Sequence, residues 1–178
     1  LMEEEDYSPF LIQPRTSDIQ IRHHAVDAGA DLVVVHHPHI IQGVELYNET
    51  LIAHSLGNFV FDLNYPETYP SMILQSDFGH EGFYNHRLIP VYIDDYIPLE
   101  AEGELGLFLL DHIAMKSREL NTILHVDREE VRALVLNDES QNGQTEFHYR
   151  RRVEFREENG EFISAPIKLI HAGSPVRW

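Results

Sequence analysis

Three of the four positions 36–39 are histidine: His36, His37 and His39 surround Pro38, directly after the apolar run of residues 32–35. A neutral imidazole offers one lone-pair nitrogen to a divalent metal, and near neutral pH it can also take up or release a proton. Along an extended chain, residues two apart point to the same side. His37 and His39 would then share a side, as a pair of ligands for one metal or two adjacent ones, with His36 facing the other way. Pro38 fixes the backbone between them and removes a donor. The other account of the same residues is a group of partly exposed loop histidines, one of them finishing a strand.

The elements that would carry these residues read as follows. Thr16 or Ser17 caps a helix with Asp18 in its first turn; Ile19, Arg22, Val26 and Ala30 follow helical spacing, and Gly29 closes it. Residues 32–35 are a continuous apolar run, the pattern of a strand buried on both faces of a parallel sheet. A His-x-His pair at the carboxyl end of such a strand lies where open α/β sheets place ligands. Two further strands, 43–47 and 50–56, flank the turn-like "YNET", and Gly57–Asn58 mark a bend. Residues 72–78 and 88–93 read as paired strands joined through Gly79, Gly82 and Asn85. Residues 94–104 read as a loop, 104–120 as an amphipathic helix and 131–136 as a short strand. A polar linker follows, then a hairpin of residues 147–155 and 162–170 around "EENG". The expected division is therefore 1–136 as the α/β portion and 137–178 as linker and β-hairpin extension.

Composition narrows the chemistry. The chain of 178 residues is 43% hydrophobic, enough for a core. Its formal net charge of −17 argues against a nucleic-acid partner and against docking on an anionic membrane. There is no cysteine, so thiolate sites are excluded, and any metal would be held by the His, Asp, Glu and Asn set. No stretch is apolar for long enough to cross a bilayer as a helix. The opening "LMEEEDYSPF" reads as the middle of a loop, and the expectation is that the sequence continues upstream. "HYRRRVEFR", with Arg150, Arg151, Arg152 and Arg156, is the basic cluster of the chain; alternation splits it between two strand faces, as on a solvated edge.

Residues 28–62, "AGADLVVVHHPHIIQGVELYNETLIAHSLGNFVFD", resemble the central signature of the capsule-synthesis CapA family, also called poly-gamma-glutamate synthesis proteins. The shared pattern is "AGAD", a hydrophobic strand, "HHPH", "QG-x-E" and "SLGNFxFD". The resemblance implies a calcineurin-like metallophosphatase sandwich, mixed β-sheets flanked by helices, present here as its C-terminal portion. It implies metal-assisted hydrolysis at a centre of two divalent ions (Mn, Fe or Zn), with His37 and His39 as ligands. His36 would be the catalytic neighbour that protonates a leaving group, and Glu45 and Asn58 would shape the site. Glu45 is otherwise a solvated strand end, and Asn58 a turn residue. Two departures stand out: Val35 where the family commonly has Gly, and His54 where it commonly has Tyr. The remaining ligands of the superfamily would lie upstream of Leu1, so this chain alone would bind metal incompletely. Its partner would be that N-terminal half or another chain. The resemblance further implies poly-gamma-glutamate or envelope polymer machinery as partner, and a membrane-associated cell-envelope or extracellular setting. The alternative is a non-catalytic scaffold or polymer-export component that keeps the fold. His80 and His86, in the Gly-rich connection, read as exposed loop histidines, the alternative being that they reach a substrate.

Overall fold

A computed structural model of the chain describes residues 13–136, apart from 62, 64 and 81, and the backbone of residues 155–158 and 161–164. Helix α1 (Thr16–Asp27) begins on Arg15, whose N–H donates to the Asp18 carboxylate 3.2 Å away. The cap is thus Arg15 rather than Thr16 or Ser17, because Asp18 reaches back to satisfy the first free amide. The helix ends as expected at Gly29: its N–H meets Val26 O, the Ala30 N–H meets Ala25 O, and φ is +100°.

The first sheet holds β1 (Val33–Val34), β2 (Val44–Tyr47) and β3 (Thr50–Ala53) in the order β1-β3-β2. β1 runs parallel to β3, and β2 antiparallel to it. The β2–β3 turn at Asn48–Glu49 has two positive φ values, 48° and 64°, the backbone of a tight two-residue hairpin. β1 is shorter and more open than its composition predicts. Val34 is 41% exposed, since β1 lies at the sheet edge and pairs, among the described residues, with β3 alone.

The second sheet is antiparallel: β4 (Pro70–Gly79), β5 (Gly82–Asp94), β8 (Arg132–Leu136) and β7 (Ile123–Asp127), with β6 (Ile97–Glu100) also pairing β5. The expected loop at 94–104 instead turns back at Asp95–Tyr96, again with two positive φ values, and returns as β6. No Asn-Gly or Asp-Gly announces that turn, which is why the sequence hides it. The backbone described at the C-terminal end forms a hairpin of β9 (Phe155–Glu158) and β10 (Glu161–Ser164) around the expected turn. The rest of the linker and hairpin region lies outside the described residues.

Helix α2 (Gly103–Glu119) buries Leu109, Leu110 and Ile113 in a core shared by both sheets, with Val44, Leu51 and Ala53 from the first and Met72, Leu88 and Leu124 from the second. Its end also closes the outer edge of β2. Ser117 Oγ accepts the Val44 N–H, and Thr122 Oγ1 accepts the Leu46 N–H. Those amides would otherwise be an open strand edge. The Met72 N–H to Leu56 O bond (2.9 Å) ties the second sheet to the segment that leaves β3.

Candidate functional site

The segments that follow β1 and β3 meet at the carboxyl ends of these two parallel strands. The Val35 N–H bonds Ala53 O, and the Leu56 N–H bonds Val35 O, so the ladder persists one step past each strand. The first segment then turns: the His39 N–H donates to His36 O at 2.8 Å, and His39 has φ 75°. His37 and His39 therefore come together through a turn, not through strand alternation as the spacing suggests. The left-handed residue is what swings the second ring back toward the first. Their ring centroids are 5.3 Å apart and nearly perpendicular.

The second segment, residues 54–58, is buried throughout. It presents an acceptor to each of two rings. His36 Nδ1–H donates to Gly57 O at 2.9 Å, and His39 Nδ1–H donates to Asn58 Oδ1 at 2.8 Å. Each bond fixes the tautomer, leaving Nε2 with its lone pair. His36 is exposed. His37 is also exposed and has no hydrogen-bond partner among the described residues. The ring of Phe61 lies over His39 at 5.0 Å, and Phe59, Val60 and Phe61 form an exposed apolar rim. Gly57 makes the close turn, with φ +81°; a Cβ there would sit 2.9 Å from Pro70 O.

These residues fit part of a metal centre. The donors are imidazoles, one of them oriented by the Asn58 side-chain carbonyl, as metal-binding histidines are oriented through their other ring nitrogen. Two imidazoles bound to one tetrahedral ion have centroids about 5 Å apart, the spacing of His37 and His39. The remainder of a donor set is not here: among the described residues no group of three or more His, Asp or Glu side chains comes together to hold an ion.

Glu45 is half-buried, not a solvated strand end. It faces α1 and accepts from His23 Nε2–H at 2.8 Å and from His54 Nε2–H at 2.9 Å. Arg22 Nη1–H donates to His54 Nδ1 at 2.6 Å. A guanidinium only donates, so the His54 proton must sit on Nε2. Burial pushes the Glu45 carboxyl up, but the hydrogen bonds from His54 and His23 outweigh it and hold Glu45 below the ordinary carboxylate range. Burial lowers Arg22, opposed by Asp18 and Glu45. His23 stacks flat on Tyr47, with centroids 3.8 Å apart. This network binds α1 to the sheet. Sequence reading missed Arg22 and His23 as partners of Glu45, because nothing in their spacing distinguishes them from solvated helix residues, and noted His54 only as a departure from a common Tyr. Val35 and His54 stand on neighbouring chains of the parallel ladder, Val35 half-buried and His54 fully buried.

His86 is not a loop histidine. It lies in β5, is 7% exposed, and its Nδ1 bonds Ser76 Oγ at 2.8 Å. Burial lowers its pKa to about 4, against the pull of Asp77. His80 is exposed in the β4–β5 turn, as expected.

Comparison with known proteins adds the following. Residues 9–63 match the family described as bacterial capsule synthesis protein PGA_cap. The chain is 38% identical over 91 residues to the PGA biosynthesis protein CapA of Bacillus subtilis, covering 51% of this chain and 24% of that protein. It is 40% identical over 80 residues to the capsule biosynthesis protein CapA of Bacillus anthracis, covering 45% of this chain and 20% of that protein. A shorter stretch of 37 residues is 51% identical to an uncharacterized protein of Sinorhizobium fredii. The chain thus spans about a quarter of the length of the curated relatives it matches.

Proposed function

We propose that this chain, whose residues 9–63 match the family described as bacterial capsule synthesis protein PGA_cap, is a CapA-like protein and carries one side of a metal-dependent hydrolase site serving capsule or poly-gamma-glutamate biosynthesis. The observation that carries the reading is the meeting of residues 36–39 with residues 57–58 at the ends of two parallel strands. There, His39 is oriented by Asn58, and His37 lies 5.3 Å from it, centroid to centroid. His37 and His39 would hold divalent metal, Mn, Fe or Zn, which when bound polarises the bond to be hydrolysed. The other donors would come from parts of the full-length protein outside the described residues. His36, with Nδ1 tied to Gly57 O, is oriented to move a proton on Nε2 to a leaving group. Asn58 holds His39, and Glu45 holds α1 against the sheet that presents both segments. A calcineurin-like sandwich suits the mixed sheets and helices of the described residues, and a cell-envelope setting suits capsule synthesis. No helix among the described residues is long and apolar enough to cross a membrane.

One observation favours a second reading. Among the described residues no group of three or more His, Asp or Glu side chains comes together to hold an ion, which also suits a scaffold or polymer-export component that keeps the fold without hydrolysing anything. Metal-dependent turnover decides between them. The full-length protein, assayed with Mn or Zn on phosphoester and γ-glutamyl substrates, is expected to hydrolyse one class and to lose that activity in His37→Ala. Absent turnover would favour the scaffold, and metal-independent turnover would overturn the metal role of His37 and His39.

A further inference from the structure

Behind the imidazoles, the acceptors that orient them sit on four consecutive buried residues, 55–58. The backbone of this segment is held by two serine hydroxyls. Ser55 Oγ accepts the Gly57 N–H at 3.2 Å and donates to His36 O at 3.3 Å, closing the turn from within. The second hydroxyl comes from the other sheet. Ser71, on β4 and 1% exposed, directs its one proton at both Leu56 O, 3.0 Å away, and Asn58 O. These two carbonyls flank Gly57, whose own carbonyl receives His36. Asn58 O belongs to the residue whose side-chain amide receives His39. Gly57, at φ +81°, lacks the stiffness a side chain would give it, so the path from Leu56 to Asn58 needs an external support.

We propose that Ser71 is a positioning residue for the imidazole site. Its hydroxyl sets the height of the 56–58 backbone, and through Gly57 O and Asn58 Oδ1 it sets the tautomer and aim of His36 and His39. The proposal rests on reading those rings as the working groups, and it gives the second sheet a role in the site. Partners that orient metal-binding histidines typically change metal affinity 10–100-fold when removed. Ser71 acts one bond further out.

The test compares Ser71→Ala and Ser71→Cys in the full-length protein with Ser117→Ala. Cysteine nearly keeps the volume of serine and donates weakly. Ser117 is the matched control: it is equally buried, bonded to the Val44 N–H and Ile113 O, and belongs to α2 instead of the site. Two readouts are taken: the His39 Nδ1–H resonance by NMR, which needs no metal, and the dissociation constant for Zn or Mn. Both Ser71 variants are expected to lose or broaden the His39 Nδ1–H signal and to weaken metal binding about 10-fold, while Ser117→Ala changes neither. If Ser71→Ala does not fold, Ser71→Cys gives the answer. An unchanged His39 signal in a folded Ser71 variant, or equal loss in Ser117→Ala, overturns the proposal. If the parent binds no metal but its His39 signal still depends on Ser71, the positioning role stands and the hydrolase reading falls.

Discussion

Acidification should weaken this protein through His86 well before its carboxylates titrate. In the native state the ring is buried in β5 against Ser76, and burial lowers its pKa from 6.5 to about 4. In the unfolded chain the same ring takes a proton at its ordinary pKa. The folded value is the lower one, so the unfolded state binds the proton first. Stability is then full above pH 6.5, falls as pH drops from 6.5 towards 4, and levels off below that. A depression of about 2.5 units at about 1.36 kcal/mol each amounts to ~3 kcal/mol in all, of which ~2 kcal/mol is gone by pH 5. Urea unfolding of the parent and of His86→Asn at pH 7.5, 6.5, 5.5 and 4.5 isolates this contribution, because the other eleven histidines are common to both. The parent should lose about 2 kcal/mol more than the variant between pH 7.5 and 5. A parent-minus-variant difference that stays constant with pH would refute the reasoning, as would a native His86 titrating near 6.5 by NMR.

Glu45→Gln should cost about 2 kcal/mol, since one carboxylate accepts from both His23 and His54. The folded carboxyl titrates lower than the unfolded one, so its contribution is present above the unfolded value and disappears as pH falls through the folded one. Chemical denaturation over a series of falling pH values should show the variant's penalty shrink as the folded Glu45 carboxyl takes up its proton. Gly57→Ala should destabilise by about 2 kcal/mol from the positive φ alone, before the approach to Pro70 O is counted; calorimetry that finds it neutral would show the turn to be soft. Asn58→Ala should weaken Zn or Mn binding about 10–100-fold by releasing His39, which isothermal titration of the full-length protein would register.

Much of the scaffold was legible because apolar periodicity and turn residues agreed: α1 with Gly29, the β2–β3 hairpin at "YNET", the β4–β5 pair and α2 all follow from them. The misses have physical causes. β6 turns on Asp95–Tyr96, a pair that carries no strong turn signature, and β7, at Ile123–Asp127, is too short and mixed to stand out. Residues 32–35 are apolar enough for a central strand, yet burial depends on neighbours, and β1 has one among the described residues. At the site, residue types pointed to His36, His37, His39 and Asn58, but not to the turn at His39 that joins them. Glu45 carried no mark of its real partners, because Arg22 and His23 meet it only once α1 has packed on the sheet. Ser71 was invisible for the same reason: it lies thirteen positions from Asn58 and on the other sheet.

On the proposed reading, the turn at 36–39 holds metal on His37 and His39. The most direct measurement is the metal content of the purified full-length protein by mass spectrometry, beside a His37→Ala, His39→Ala double variant whose folding is confirmed by circular dichroism. The parent should hold about two equivalents of Mn, Fe or Zn, and the folded variant should lose most of it. Equal metal in both proteins, or none in the parent after incubation with each ion, would contradict it.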